Sequence, residues 1–327
     1  MPAVPSARWT DLPRITEPPD SVLNRPVVRI ATAPALLEGA GFSVRRPWPS
    51  REIGFRQTDP FLLLDHLGAV EYAPGEAKGA PWHPHRGFET VTYMMDGAMQ
   101  HRDSQGGGGV IGDGDTQWMT AGAGILHDEM PTGELIQDGG RFHGIQLWVN
   151  LPKRLKWTPP RYQGLSSGQV TRLVSAAGDS LVRLIAGELG GYRGPGVTWT
   201  PIVLIHASLE AGARLRLAWP QAFNALAYIL TGGGAVGIEN ALVVEGQGVL
   251  FGPGQVLTVT APARPQGPNA RLEVLILGGQ PIREPIASYG PFVMNTHADI
   301  VQAFDDYQSG RMGSIPAIEL FPGASEP

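Results

Sequence analysis

Apolar and polar residues alternate over short runs along most of the chain, and turn residues separate one run from the next. Residues 144–151 alternate most clearly, which places two sets of side chains on opposite faces of a strand: Ile145, Leu147 and Val149 against Gln146, Trp148 and Asn150. The second face could line a pocket, although Trp148 could equally belong to a core. Other short apolar runs are residues 28–32 and 61–65. The pattern predicts short strands joined by tight turns, and therefore an all-β fold.

The second half of the chain repeats this character. Its predicted strands are residues 181–187, 202–208, 214–217, 225–230, 235–238, 249–251, 255–260 and 272–277. Because the two halves have the same pattern, a duplicated β-barrel or β-sandwich is expected. Residues 153–168 contain Pro159-Pro160 and end in Ser167-Gly168, and they are the best candidate for a linker between the halves.

One helix is predicted near the end of the chain. Thr296 is a suitable N-cap with Asp299 three residues later, and Gly310 can end the helix. An apolar stripe at helical spacing consists of Ile300, Val301, Phe304 and Tyr307. This helix is expected to dock on a barrel through that stripe.

Composition and charge exclude several classes of protein. The chain contains 25 basic and 30 acidic residues, and this excess of negative charge argues against direct binding to nucleic acid. No cysteine is present, so neither disulfides nor thiolate ligands are available. Residues 1–27 contain prolines and charges but no apolar core of a signal peptide, and they are predicted to form an exposed arm. Without a run of about 18 apolar residues, no membrane span is expected, and a cytoplasmic location fits best.

Two short pairs carry the candidate chemistry, His83-Pro84-His85 and His127-Asp128-Glu129. Residues i and i+2 of a strand point to the same face, so each pair can aim two side chains at one point. Three imidazoles and one carboxylate suit Fe, Ni, Cu or Mn and leave coordination positions open. The pairs are therefore predicted to form a mononuclear metal site. The alternative is that one pair only packs or forms hydrogen bonds.

The same motifs resemble the pirin family of the cupin superfamily. The resemblance rests on residues 83–93 (HPHRGFETVTY), 114–122 (GDTQWMTAG), 124–131 (GILHDEMP), 59–65 (DPFLLLD), 146–151 (QLWVNL), 283–285 (REP) and 290–296 (GPFVMNT). It spans residues 28–313. It implies a bicupin, which consists of two tandem cupin β-barrels (double-stranded β-helix) with a short C-terminal helix. The implied domains are an arm at 1–27, a metal-binding barrel at 28–155, and a barrel without metal at 156–327.

The resemblance also assigns roles to particular residues. The family's four metal ligands fall on His83, His85, His127 and Glu129. Many cupins place the ligand carboxylate at the position of Glu89, but in pirin-like proteins Glu129 supplies it, so Glu89 is expected to support the ligands or the fold.

The remaining histidines are not expected to bind metal. His66 is expected on the surface, with a place in the pocket as the alternative, whereas His101 and His143 are expected to form local hydrogen bonds. His206 and His297 belong to no i, i+2 pair, so no second metal site is expected, and His297 is predicted to be solvated.

The resemblance implies two main functions. Some pirin-like proteins are quercetin 2,3-dioxygenases. With that activity, a flavonol would occupy the open metal positions of this site, and Glu129 would accept its 3-hydroxyl proton. Others are redox-sensing regulators that bind a transcription regulator or a metabolic enzyme. A third possibility is a cupin that keeps its metal for stability alone. One divalent transition metal is expected, with Fe(II) favoured over Ni, Mn, Co, Cu or Zn. The expected partners are O2 and a small aromatic, flavonol-like substrate, and a protein partner is possible.

Overall fold

The computed structural model describes residues 9–264 and 271–315, and strands dominate them. The strands of the first half are β1 (Val27–Thr32), β2 (Ala35–Glu38), β3 (Phe42–Trp48), β4 (Phe61–Tyr72), β5 (Ala80–His85), β6 (Phe88–Asp96), β7 (Met99–Asp103), β8 (Gly108–Ile111), β9 (Thr116–Thr120), β10 (Ile125–Pro131), β11 (Gly140–Asn150) and β12 (Arg161–Leu165). The all-β prediction is confirmed.

The second half continues in the same way. Its strands are β13 (Thr171–Val174), β14 (Ser180–Ala186), β15 (Glu188–Leu189), β16 (Tyr192–Arg193), β17 (Ile202–Leu209), β18 (Arg214–Ala218), β19 (Ala225–Thr231), β20 (Gly233–Val236), β21 (Ala241–Val244), β22 (Gln247–Phe251), β23 (Val256–Thr260), β24 (Leu272–Gly279), β25 (Ala287–Tyr289) and β26 (Phe292–Met294). The helices are α1 (Phe55–Thr58), α2 (Gly133–Asp138) and α3 (His297–Gln308), with 3-10 turns at Trp9–Asp11 and Lys153–Leu155. None of these helices is long and apolar enough to cross a membrane.

Two barrels are built on the same plan. In the first barrel, a seven-stranded sheet of order β12-β9-β6-β11-β4-β3-β2 accompanies a four-stranded sheet of order β5-β10-β7-β8. In the second barrel, the corresponding orders are β1-β22-β19-β24-β17-β14-β13 and β18-β23-β20-β21. The order of one barrel therefore maps onto that of the other strand by strand.

The register of the strands makes this match exact to the residue. Ile145 on β11 pairs with His66 on β4 and with Tyr93 on β6. Leu275 on β24 pairs in the same way with His206 on β17 and Tyr228 on β19. His66 therefore corresponds to His206, and Tyr93 corresponds to Tyr228.

The two seven-stranded sheets pack face to face through one apolar cluster that contains residues of both barrels, among them Leu64, Val91, Leu204 and Leu226.

Two reciprocal polar pairs cross this interface. Nδ1 of His66 lies 3.0 Å from the hydroxyl of Tyr228, and Nδ1 of His206 lies 2.8 Å from the hydroxyl of Tyr93. His66 is only 1% exposed. The prediction of a surface histidine is therefore wrong, because the outer face of β4 is covered by the other barrel.

Strand pairing crosses the predicted boundary between the two barrels. Strand β1 lies almost entirely in the predicted first domain, yet it pairs with β22 of the second barrel. Strand β12 lies inside the predicted linker and pairs with β9 of the first barrel. The linker prediction is therefore wrong for residues 161–165, while the boundaries at 27 and 155 remain predictions.

The predicted exposed arm packs on the second barrel where it is described. Ile15 is buried in that barrel's apolar cluster. Arg25 is 2% exposed and donates hydrogen bonds to the carbonyls of Gly252 (3.0 Å), Pro220 (2.9 Å) and Phe223 (2.7 Å). The exposed-arm prediction is thus wrong for these residues, and residues 1–8 lie outside the described part of the chain.

Helix α3 forms where it is predicted and packs on the β25–β26 hairpin, while Arg86 links it to the first barrel. Thr296 caps it, accepting a hydrogen bond from the backbone of Asp299. The buried face differs from the predicted stripe: Ile300, Ala303 and Asp306 are buried, whereas Val301 and Tyr307 are 47% and 41% exposed.

An ion pair fixes this docking. Asp306 accepts a 2.7 Å hydrogen bond from Nη1 of Arg86, the residue that follows the His83-Pro84-His85 motif. His297 is exposed, as predicted.

Candidate metal centre

Strands β5 and β10 bring the two predicted pairs together. They are antiparallel neighbours in which His83 lies opposite His127, and the register shifts between His127 and Glu129. The centre contains one ring nitrogen from each of three histidines, and these atoms all lie within 4.8 Å of one another: His83, His85 and His127. Three of the four predicted ligands therefore converge on one point.

Hydrogen bonds fix the tautomers of the first pair. Nδ1 of His83 lies 2.7 Å from the carbonyl of Pro81, and Nδ1 of His85 lies 3.2 Å from the carbonyl of Pro291. A carbonyl oxygen only accepts hydrogen bonds, so both Nδ1 atoms carry a proton, and in the neutral rings both Nε2 atoms present a lone pair. These two Nε2 atoms are 3.1 Å apart.

That arrangement fits a metal ion. Two lone pairs cannot share a hydrogen bond, but nitrogen ligands about 2.1 Å from one ion and at a right angle lie about 3 Å apart. Nε2 of His127 is buried and has no hydrogen-bond partner among the described residues. Burial, followed by the neighbouring imidazoles, lowers the pKa of His85 and His127 well below the ordinary value. Neutral imidazoles are the form that binds metal.

Glu129 is held in place by three neutral side chains. Its Oε1 accepts hydrogen bonds from Oγ1 of Thr92 (2.8 Å) and Nε2 of Gln117 (3.2 Å), and its Oε2 accepts one from Nε2 of Gln146 (2.8 Å). A carboxylate oxygen of Glu129 belongs to a second group within 4.8 Å, with His101 and His127. Its role as a ligand remains a prediction.

His101 is the residue beside the centre that sequence reasoning missed. It accepts a 2.8 Å hydrogen bond at Nδ1 from Gln117, and this nitrogen lies 3.4 Å from Nδ1 of His127. Its ring stacks on Tyr162. The expected local hydrogen bonds are present, and β7 also places His101 opposite Glu129, so that His101 lies beside two of the predicted ligands, His127 and Glu129.

Glu89 faces away from the centre. It lies three residues before Thr92 on β6, and therefore on the opposite face of the strand. Its Oε1 accepts a 2.7 Å hydrogen bond from Thr120, and Nη2 of Arg161 is 3.9 Å away. Burial raises the pKa of Glu89 to about 7. These contacts favour the structural role rather than support of the ligands.

A cavity of about 600 Å³ opens beside His83, His85 and Glu129. Its apolar walls include Phe42, Leu63, Trp82, Met99, Phe142 and Trp148. Gln146 lines it as well, so the polar face expected from residues 144–151 contributes to a pocket. This size and lining are typical of a site for a small organic molecule.

Comparisons with known proteins agree with this geometry. The Pirin family model matches residues 41–149, and the Pirin C-terminal cupin domain matches residues 204–313. A pirin-like protein of Solanum lycopersicum is 41% identical over 90% of this chain and 95% of its own length. The "putative quercetin 2,3-dioxygenase" of Pseudomonas aeruginosa is 41% identical over 84% of this chain and 93% of its own length.

One solved structure is similar to this chain over almost its whole length. The crystal structure of quercetin 2,3-dioxygenase from Acinetobacter baumannii superposes with a TM-score of 0.81, at 35% identity, over 89% of this chain and 99% of that one. The resemblance inferred from the motifs is confirmed. This chain belongs to the pirin family and contains two cupin-type domains.

Proposed function

We propose that this protein is a cytoplasmic, metal-dependent dioxygenase that cleaves quercetin-like flavonols with O2. The observation that carries the proposal is the set of three convergent imidazole nitrogens beside an apolar cavity of about 600 Å³. The dioxygenase names of similar proteins support it.

His83, His85, His127 and Glu129 would hold the metal, and Fe(II) is the ion we propose. When bound, the metal would act as a Lewis acid toward the flavonol's 3-hydroxyl and 4-carbonyl oxygens and link the substrate electronically to O2. Trp82 and the other apolar walls would bind the flat rings and exclude water.

Glu129 would act as the general base in this scheme. Its carboxylate lines the cavity, so it can reach the 3-hydroxyl proton of a bound flavonol. Thr92, Gln117 and Gln146 donate hydrogen bonds to it and hold its orientation. Glu129→Gln is therefore expected to keep part of the metal and to lose turnover, and unchanged turnover would exclude this role.

Oxygen uptake with quercetin tests the activity. Protein reconstituted separately with Fe(II), Mn, Ni, Co, Cu or Zn is compared with His127→Ala treated in the same way. Metal-dependent uptake that is absent from the variant would establish the oxygenase and identify the competent ion. The absence of uptake with every ion, at full metal occupancy, would exclude flavonol dioxygenation.

One observation favours a redox-linked regulator as a second candidate. His85 is bonded to the carbonyl of Pro291, which joins β25 to β26, and Tyr289 in the same hairpin is 69% exposed. A change of the iron oxidation state that moves His85 would therefore also move the exposed β25–β26 hairpin. Identical partner sets captured by the Fe(II) and Fe(III) forms would count against this candidate.

A further inference from the structure

A charged pair lies in the wall of the first barrel, where the cavity meets β3 and β4. Arg46 donates two hydrogen bonds to the carboxylate of Asp65, both 2.6 Å long, and one of 2.6 Å to Glu38. The side chains of Arg46 and Asp65 are only 18% and 7% exposed. Burying charges is costly, and an apolar pair of similar size usually fits a protein interior at least as well.

The second barrel shows that the fold does not need this pair. Arg45 pairs with His66 on β4, and Arg183 pairs with the corresponding His206 on β17. Arg46 therefore corresponds to Leu184, and Asp65 corresponds to Ile205. Both counterparts are apolar and fully buried.

The pair lies next to the metal centre. Asp65 is the cross-strand partner of Gln146, whose amide donates to Glu129. Directly opposed residues on neighbouring strands have their Cβ atoms about 5 Å apart. Arg46, Asp65 and Gln146 all line the cavity, so a ligand beside Glu129 can extend along Gln146 to the charged pair.

The polar atoms of the pair match a hydroxyl group. Nη1 of Arg46 has no hydrogen-bond partner among the described residues. Each oxygen of Asp65 accepts one hydrogen bond from Arg46 and keeps a further lone pair. A hydroxyl can accept from the guanidinium and donate to the carboxylate, whereas an anionic group would be repelled by Asp65 and Glu38.

We propose that Arg46 and Asp65 form a subsite for a phenolic hydroxyl of the substrate, which makes this protein selective for polyhydroxylated flavonols. The inference rests on the proposed function and names the feature of the substrate that the cavity selects. The charged pair acts on specificity, while the chelating end of the substrate is bound at the imidazoles.

Two flavonols separate these contributions. Quercetin carries hydroxyls on both ring systems, whereas 3-hydroxyflavone keeps only the chelating 3-hydroxyl and 4-carbonyl. The variant Arg46→Leu with Asp65→Ile introduces the residues of the second barrel. We expect the ratio of kcat/KM for quercetin to that for 3-hydroxyflavone to fall about tenfold to a hundredfold. A fall of this size corresponds to the loss of hydrogen bonds to charged groups.

The neighbouring Arg45→Leu is the matched control. Arg45 is half exposed, pairs with Glu245 and does not line the cavity, so the wild-type ratio is expected. An unchanged ratio in the double variant, which includes equal losses for both flavonols, would overturn the subsite. If the double variant does not fold, Asp65→Asn keeps the shape of the side chain and removes its charge, and an unchanged ratio in that variant would overturn the subsite.

Binding without oxygen separates a failure of the subsite from a failure of the proposed function. Calorimetry on anaerobic, metal-loaded protein measures both flavonols without turnover. Tighter binding of quercetin that is lost in the variant supports the subsite even if no turnover occurs with any metal. Equal affinity of the wild type for both flavonols overturns the subsite, whatever the oxygen uptake shows.

Discussion

The two barrels share one backbone plan and differ in what fills them. The register maps the four predicted ligands of the first barrel, His83, His85, His127 and Glu129, onto Leu217, Trp219, Leu257 and Val259 of the second. The polar residues around Glu129 are replaced in the same way: Thr92, Gln117 and Gln146 correspond to Ala227, Val249 and Ile276. All seven counterparts belong to one buried apolar cluster.

The difference shows that the fold supplies positions, and that side chains decide their use. A barrel of this plan can close around an apolar core when the four ligand positions hold apolar side chains, as in the second barrel. The first barrel gives up that core for a cavity and a set of buried polar side chains. Such groups are costly unless they are paired, so a bound ion is the natural compensation for three converging imidazoles.

The largest expected effect comes from giving the first barrel the residues of the second. His127→Leu with Glu129→Val removes one imidazole and the carboxylate while keeping the interior apolar. We expect the metal content to fall below about a tenth of the wild-type value, because the open site then lacks half of its predicted ligands. Elemental analysis after reconstitution measures the metal, and circular dichroism checks the fold.

His297→Ala removes an imidazole on the exposed start of α3 and is the control for this experiment. It is expected to keep the full metal content. Treatment with a chelator is expected to lower the melting temperature of the wild type and of this control, but not that of the double variant. Full metal occupancy in the double variant would contradict the assignment.

The reverse exchange tests whether the second barrel accepts a ligand. Leu257 is 1% exposed and corresponds to His127. Leu257→His buries an imidazole among apolar side chains, and we expect it to lower the free energy of unfolding by about 3 kcal/mol. Urea unfolding measures the loss, and Leu257→Met, expected to cost less than about 1.5 kcal/mol, is the control. A loss below that of the control would show that this barrel tolerates polar groups.

Sequence alone was sufficient for those features that depend on neighbours along the chain. Strand alternation predicts the all-β fold, and the i, i+2 rule selects His83, His85 and His127 before any contact is known. His66 and His101 could not be placed in this way. Nothing next to them in sequence shows that the other barrel covers His66 or that β7 sets His101 opposite Glu129.

The linker shows the same limit. Of residues 161–165 only Leu165 is buried, and the segment follows two prolines, so the sequence indicates a loop. They form a strand because the edge of β9 offers hydrogen bonds. That edge forms only when the barrel has closed, so the local sequence of residues 161–165 cannot indicate it.

The next effect depends on pH and concerns Glu89, which corresponds to the neutral Asn224 of the second barrel. Burial raises the pKa of Glu89 from 4.5 to about 7. Between these values the folded protein keeps a proton that the unfolded chain has lost, so the free energy of unfolding falls as the pH rises. The fall reaches at most about 3 kcal/mol.

Glu89→Gln removes this titration and makes the first barrel resemble the second. We expect equal stability of variant and wild type near pH 5, and a variant that is about 2 to 3 kcal/mol more stable at pH 8. Urea unfolding at both pH values measures the difference. Glu188→Gln on an exposed residue is the control and is expected to change little at either pH. A constant difference across the range would show that Glu89 is ionised throughout.

The smallest expected effect tests the symmetry of the interface itself. Tyr93→Phe and Tyr228→Phe each remove a hydroxyl from a buried histidine, His206 or His66, and leave its Nδ1 unpaired. We expect each to lower the free energy of unfolding by about 1 to 2 kcal/mol, while Tyr289→Phe on the surface costs almost nothing.

The other nitrogen of His206 lies 2.9 Å from Glu273, whereas that of His66 lies 2.8 Å from His143. Both rings therefore keep one polar neighbour in each variant, so losses of similar size are expected. Losses that differ by more than about 1 kcal/mol would show that the two halves of the interface, alike in register, are held by unequal hydrogen bonds.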